Sequence, residues 1–267
     1  METNSPDSRS QHNLFEENLR ILNSKLRRGE VTLFAGRPDM GTSSMAMHLA
    51  LERGLRQSQP VYVFSSAWGL DNWATELAWR AADLNPVHRP WRIPDFQEKY
   101  ALKNAALALK SAPITLWREI YMPPDCLPNY IPEVIPLALV DTLLCIDFLE
   151  WNGRAPHAHI DRLLSTLIDL KKMAQQLQVA VLIFSNLPRA VERREDKRPR
   201  LSDLPKAYLQ AKVIDEVWLL YRHANYYKDH GFSPHHVEIS CHNLESKEWT
   251  EFDFHIGGFV EESETAA

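Results

Sequence analysis

The residues with the clearest chemical potential are GRPDMGTSS, positions 36–44. They lie between an apolar run, VTLFA (31–35), and a segment with helical spacing, SMAMHLALERG (44–54). A strand, a glycine-bounded loop and a helix in that order make a phosphate-binding arrangement. Backbone N–H groups and a helix N-terminus then face the anion. The general pattern is GxxxxGK[ST]. Gly36 and Gly41 have the required spacing, and Ser43 stands where the magnesium hydroxyl belongs. Position 42, lysine in the pattern, is Thr42. A threonine cannot carry a positive charge to the β- and γ-phosphates. Losing one preorganised electrostatic contact costs on the order of 3 kcal/mol in a transition state. Binding could therefore persist while turnover collapses.

Asp147 is a second candidate, because LLCID places it at the end of a buried strand. An acid there can hold a magnesium shell; the plainer role is to cap the next turn. A third is the loop RAVERREDKRPR (189–200), which carries Arg189, Arg193, Arg194, Lys197, Arg198 and Arg200 against Glu192, Glu195 and Asp196. It reads either as a phosphate-contacting loop on a DNA channel or as a solvated charged loop. His157, His159, His230, His235, His236 and His242 have irregular spacing, which favours surface histidines over a metal centre. Thr42, Ser43, Ser44, Ser65 and Ser66 have no histidine or acid placed to activate them as nucleophiles.

The elements that must position these residues follow from periodicity. LFEENLRILNSKLRRGE (14–30) predicts a helix and a turn at Gly29. Apolar runs predict strands at 31–35, 60–66, 113–117, 142–147, 179–186, 213–222, 235–242 and 250–255. Helical spacing predicts helices at 44–54, closed by Gly54, and at 70–84, 97–110 and 160–177. Within the second of these, Trp73 and Trp79 are core candidates. Residues 188–205 read as charged loop, and the proline-broken stretch MPPDCLPNYIPEVIP as loop with a short helix. Alternating strands and helices with continuous apolar runs predict an α/β fold. Its mainly parallel sheet is covered on both faces and ends in an antiparallel edge.

With 267 residues, 45% apolar and 24% charged, the chain suits one globular α/β domain or at most two small ones. A net charge of −5 gives no global pull toward nucleic acid, so such contact must be local. Cys126, Cys145 and Cys241 lack CxxC spacing and read as reduced thiols of a cytoplasmic protein. No apolar run approaches the roughly 18 residues of a membrane span. The polar first dozen residues read as disordered.

Several segments, in order, resemble the C-terminal RecA-type ATPase domain of the bacterial replicative DNA helicase (DnaB) family. AGRPDMGTSSMAMHLA resembles its phosphate loop, VYVFSSAW its second strand and LLCIDFLEW its acidic strand. LKKMAQQLQVAVLIFSNLPRAVERREDKRPRLSDL is the most specific match. The resemblance implies a RecA-like phosphate-loop NTPase fold over 25–260, after a tail and lead-in helix (1–24) and before a disordered tail (261–267). It implies nucleotide contacts from Gly36, Arg37, Gly41, Thr42, Ser43 and Ser44, and a magnesium role for Asp147. The sensor position falls on Asn186, and DNA contacts on Arg189, Arg193, Arg194, Lys197, Arg198 and Lys206.

The departures from the family are equally specific. Its loop lysine falls on Thr42 and its water-orienting glutamate on Ala67. The glutamine after its acidic strand falls on Glu150, and its arginine finger on His242. Its DNA-contacting run falls on Pro205, Lys206, Ala207 and Tyr208. Trp68 follows Ala67 and would cover the γ-phosphate region or join an interface. Losing charge supply, water activation and finger together implies a pseudo-ATPase. The expected role is a non-hydrolysing binding or regulatory subunit with a replication or helicase-like protein partner. A divergent ATP-dependent helicase and a nucleotide sensor without turnover are the alternatives. ATP or ADP with magnesium is the candidate cofactor and single-stranded DNA the candidate ligand. The short lead before the first strand lacks the family's linker helix, so a self-closing hexamer is not expected.

Overall fold

A computed structural model describes residues 8–65, 70–84, 93–117, 143–147, 158–204, 206–210, 212–227 and 236–255. The strands are β1 (Val31–Gly36), β2 (Val61–Ser65), β3 (Ile114–Trp117), β4 (Leu143–Asp147), β5 (Ala180–Asn186), β6 (Glu216–Tyr221), β7 (His236–Asn243) and β8 (Trp249–His255). They form one eight-stranded sheet in the order β3-β2-β4-β5-β1-β6-β7-β8. Pairing is parallel from β3 to β6 and antiparallel for β7 and β8. The helices are α1 (Ser8–Ser24), α2 (Thr42–Ala50), α3 (Leu70–Ala81), α4 (Phe96–Ser111), α5 (Ala158–Leu177) and α6 (Lys206–Gln210).

Strand alternation divides the core into two layers. Phe34, Leu182, Phe184, Trp218 and Leu220 face one side, where they meet Leu19, Leu22, Met45, Leu49 and Trp73. Val31, Leu33, Ala35, Val181, Ile183, Val217 and Leu219 face the other, where they meet Leu167, Leu170, Met173 and Tyr208. A period of two with both faces apolar is what a doubly covered parallel strand requires. Trp73 and Trp79 are buried, as core residues of α3. No described helix is long and apolar enough to cross a membrane.

Three expectations need correction. The polar residues Ser8–His12 are not disordered but form the start of α1. The apolar stripe Phe15, Leu19 and Leu22 packs into the core, and the helix extends N-terminally from it. The loop 188–205 contains two 3-10 turns, Arg189–Arg193 and Leu201–Asp203.

Gly54 does not close its helix. After Ala50 the chain continues as a π-helical turn, Leu51–Arg56. Gly54 sits inside that turn because a Cβ there would lie 2.3 Å from Ile114 Cγ1 on β3. The glycine thus serves close approach of helix to sheet, not chain reversal. Gly54→Ala is expected to cost about 1–3 kcal/mol by overpacking, read by urea denaturation. Adding Ile114→Ala should cost less than the sum of the two single changes.

Candidate nucleotide site

β1 runs between β5 and β6 and is buried along its whole length. Its last residue, Gly36, pairs in register with Asn186 of β5 and Leu220 of β6. A Cβ on Gly36 would lie 2.9 Å from Thr42 Cγ2 and 3.3 Å from Leu220 Cβ. Only glycine lets the strand end pass beneath the start of α2.

The loop that follows is held from three sides. Met40 is buried in the core. The Asn225 side chain donates to Asp39 O at 2.8 Å. The Met40 N–H donates to Arg37 O at 3.2 Å. Asp39 and Gly41 take left-handed backbone conformations, at φ 66° and 102°. Gly41 precedes α2 without any side-chain cap. The first turn of α2 thus lacks the side-chain acceptor of an ordinary cap, which is the arrangement an anion would satisfy. Ser43 is half-buried at this turn, and Ser44 Oγ is buried with no hydrogen-bond partner among the described residues. The backbone of the loop fits a phosphate; the side chain at position 42 does not supply its usual counter-charge.

Arg37 does not replace that charge. Its guanidinium donates to Leu187 O at 2.7 Å and to Glu192 Oε1 at 2.7 and 2.9 Å. The bonds from Arg37 hold the carboxyl of Glu192 below its usual range against the opposing effect of desolvation. The arginine is a brace between the glycine loop and the segment after β5. A buried cation that sequence reading did not single out is Arg222, just beyond β6. Burial pushes its pKa down to about 10, partly offset by Asp39. No short motif spacing points to Arg222, because the acid that acts on it, Asp39, lies far away in sequence in the glycine loop.

β4 ends on Asp147 and pairs Ser65 with Asp147, so β1, β2, β4 and β5 end at one edge of the sheet. The side chain of Asp147 lies outside the described residues, as do Ala67, Trp68 and Glu150. His242 is on β7 opposite Val217, level with Leu33. That is three residues short of Gly36, about 10 Å along the strand. His242 is 3.1 Å from Ser240 Oγ and stacks on Trp249. Burial lowers its pKa, with Glu251 opposing. It therefore lacks the fixed charge of an arginine at neutral pH.

The six expected DNA-contacting cations separate into two groups. Arg194 makes a two-pronged bond to Asp203, at 2.5 and 2.8 Å. Arg198 does the same with Glu238, at 2.7 and 2.9 Å, and lies over the Tyr221 ring. Lys197 covers the rings of Tyr226 and Tyr227 at 5.6 and 5.2 Å. Arg194 closes the loop on itself, while Arg198 and Lys197 fasten it to the β6–β7 end of the sheet. Arg189, Arg193 and Lys206 remain exposed. Among the described residues, no group of three His, Cys, Asp or Glu side chains could hold a metal ion. His236 pairs with Asp253 at 3.1 Å, and Cys241 is a free, buried thiol.

The family model for the DnaB-like helicase C terminal domain matches residues 17–245. The replicative DNA helicase DnaC of Bacillus subtilis is 24% identical over 212 residues, covering 76% of this chain and 45% of that protein. The replicative DNA helicase DnaB of Buchnera aphidicola from Acyrthosiphon pisum is 29% identical over 208 residues, covering 74% and 44%. The chain thus spans about half the length of the curated relatives it matches. Among solved structures, one described as an ATPase domain has a TM-score of 0.76 at 23% identity, covering 88% of this chain and 84% of that one. A DnaB-like replicative helicase described with its interactions with primase has a TM-score of 0.74 at 24% identity, covering 85% and 56%. The RadB recombinase, at 13% identity and a TM-score of 0.54, shares the RecA-like fold.

The Arg194–Asp203 bond sets a pH dependence. Burial raises the carboxyl pKa of Asp203, but the bonds from Arg194 and the Arg200 N–H outweigh it and the net shift is downward. An acid with a depressed folded pKa stabilises the fold above its ordinary value and loses that contribution as pH falls through the folded value. Asp203→Asn should cost about 1.5–3 kcal/mol at neutral pH. The gap from wild type should close as the pH is lowered below about 4, followed by chemical denaturation.

Proposed function

The chain belongs to the DnaB-like helicase C-terminal domain family, and from that premise we propose that it is a non-hydrolysing binding or regulatory member. The carrying observation is the contrast at the glycine loop. The backbone cradle of Gly36, Gly41 and the uncapped α2 N-terminus is kept. Thr42 packs its methyl against the strand end instead of presenting a charge. A phosphate held there would meet backbone donors and a helix dipole, but no cation from position 42. The tie of Arg37 to Glu192 and the lowered pKa of His242 add to the reading. When bound, ATP with magnesium would supply the phosphoanhydride and the metal charge. Gly36, Gly41, Ser43 and Ser44 would hold the phosphates, and Asp147 the metal shell. The retained cradle favours nucleotide binding without turnover over an autonomous motor.

One structural neighbour is described with primase, and the corresponding proposal here is a protein partner from the replication machinery. Arg189, Arg193 and Lys206 are the residues left to contact single-stranded DNA. A cytoplasmic setting accords with this role.

Binding of a fluorescent ATP analogue and phosphate release, each with and without single-stranded DNA, test the reading. Binding with no phosphate release above background is expected. Thr42→Lys should tighten binding about ten- to a hundredfold, the worth of a charged hydrogen bond, without restoring turnover. Wild-type turnover that disappears in Asp147→Ala would overturn the proposal.

A further inference from the structure

The opposite edge of the sheet, where β1 and β2 begin, carries a cavity of about 390 Å³. Four arginines line it, Arg20, Arg27, Arg28 and Arg53, and among the described residues no acid does. Arg20 comes from α1, Arg27 and Arg28 from the turn before β1, and Arg53 from the π-helical turn after α2. This concentration of cations is local, because the whole chain carries −5.

The floor is built. Arg53 is 6% exposed and donates from Nε to Gln59 Oε1 at 2.8 Å. Asn23 is buried and donates to Gln57 Oε1 at 3.2 Å, and Gln57 in turn donates to Glu52 at 3.1 Å. The rim is open. Arg20 is 63% exposed, and its pairs with Glu16 and Glu52 are long, at 3.8 and 3.7 Å. Arg27 is 66% exposed and 3.8 Å from Glu30. Exposed, long ion pairs of this kind contribute little and exchange readily for a better anion. None of these three carboxylates lines the cavity; Arg56 also pairs with Glu16 and Glu52.

We propose that this cavity binds a phosphate-bearing anion, at a site separate from the glycine loop. Guanidiniums stay charged and present flat, two-pronged donors to oxyanions. One carboxylate has oxygens for a single such fork. Four arginines around one cavity call for a ligand with many oxygens and more than one charge, such as a diphosphate or successive phosphates of a nucleic-acid backbone. The six residues of β1 separate the cavity from the loop by about 17–20 Å, so one phosphate cannot occupy both.

The test is calorimetric titration of the full chain with inorganic pyrophosphate and, separately, with oligothymidylate. The comparison is wild type, Arg27→Ala with Arg28→Ala, and, as control, Lys99→Ala with Lys103→Ala, two exposed cations of α4. The expected result is pyrophosphate binding weakened at least about tenfold in the first double variant and unchanged in the control. If the alanine pair fails to fold, Arg27→Lys with Arg28→Lys keeps the charge, loses the fork and should still weaken binding. Oligothymidylate that displaces pyrophosphate and needs the same arginines identifies the source as a nucleic-acid backbone. Pyrophosphate alone needing them identifies a free phosphate compound. Absence of pyrophosphate binding in wild type, or binding indifferent to Arg27 and Arg28, overturns the proposal.

Discussion

The rest of the structure depends on β1 being clamped at both ends. At its start, the Asp215 carboxylate accepts the Val31 N–H at 2.6 Å, and the Lys171 ammonium donates to both of its oxygens at 2.7 Å. Lys171 also donates to Gly29 O at 2.9 Å, which joins α5, β6 and the turn into β1 at one point. At its end, the Leu187 N–H donates to Gly36 O at 2.9 Å. A strand buried on both faces and tied at both termini cannot shift its register. The loop it feeds inherits a fixed origin, and α2 a fixed direction.

That rigidity explains how the arginines after β5 are used. A charged loop passing over the sheet must find partners for its backbone and charges. Arg37 reaches it from the glycine loop, Arg194 closes it on Asp203, and Arg198 fastens it to β7 through Glu238. Each guanidinium makes two bonds to one carboxylate, which orders a segment better than single contacts do. Guanidiniums occupied in this way are no longer available to phosphates. The loop is basic by composition but only partly so in the charge it offers.

Much of this was legible in the sequence. The strands, the order of the helices and the antiparallel edge followed from period-two and helical spacing, since burial on both faces leaves a continuous apolar record. The glycine loop was legible because its spacing is local. Gly54 was misread because a glycine near a helix end looks like a cap. The reason for it is Ile114, sixty residues away, and only packing reveals that. The start of α4 was readable in principle: Asp95 and Glu98 form a reciprocal capping box. The Arg37–Glu192 and Arg198–Glu238 pairs were not, because charge complementarity across 155 and 40 residues leaves no pattern along the chain.

The glycines carry a narrower meaning than their spacing suggests. Gly36 is required by Thr42 and Leu220, whose side chains fill the space of a Cβ. Gly41 is required by a left-handed turn into α2. Both reasons are internal to packing and hold with or without a nucleotide. Persistence of the loop is therefore a property of the scaffold, whereas turnover is a property of side chains placed upon it. Positions 42 and 242, where the family resemblance places a lysine and an arginine, hold a threonine against the strand end and a half-buried histidine with lowered pKa. For a non-hydrolysing member, as proposed, the division between what is kept and what is lacking runs between backbone and side chain. A backbone cradle with an uncapped helix above it can hold an anion in its ground state. Stabilising the extra charge of a transition state needs cations aimed at it.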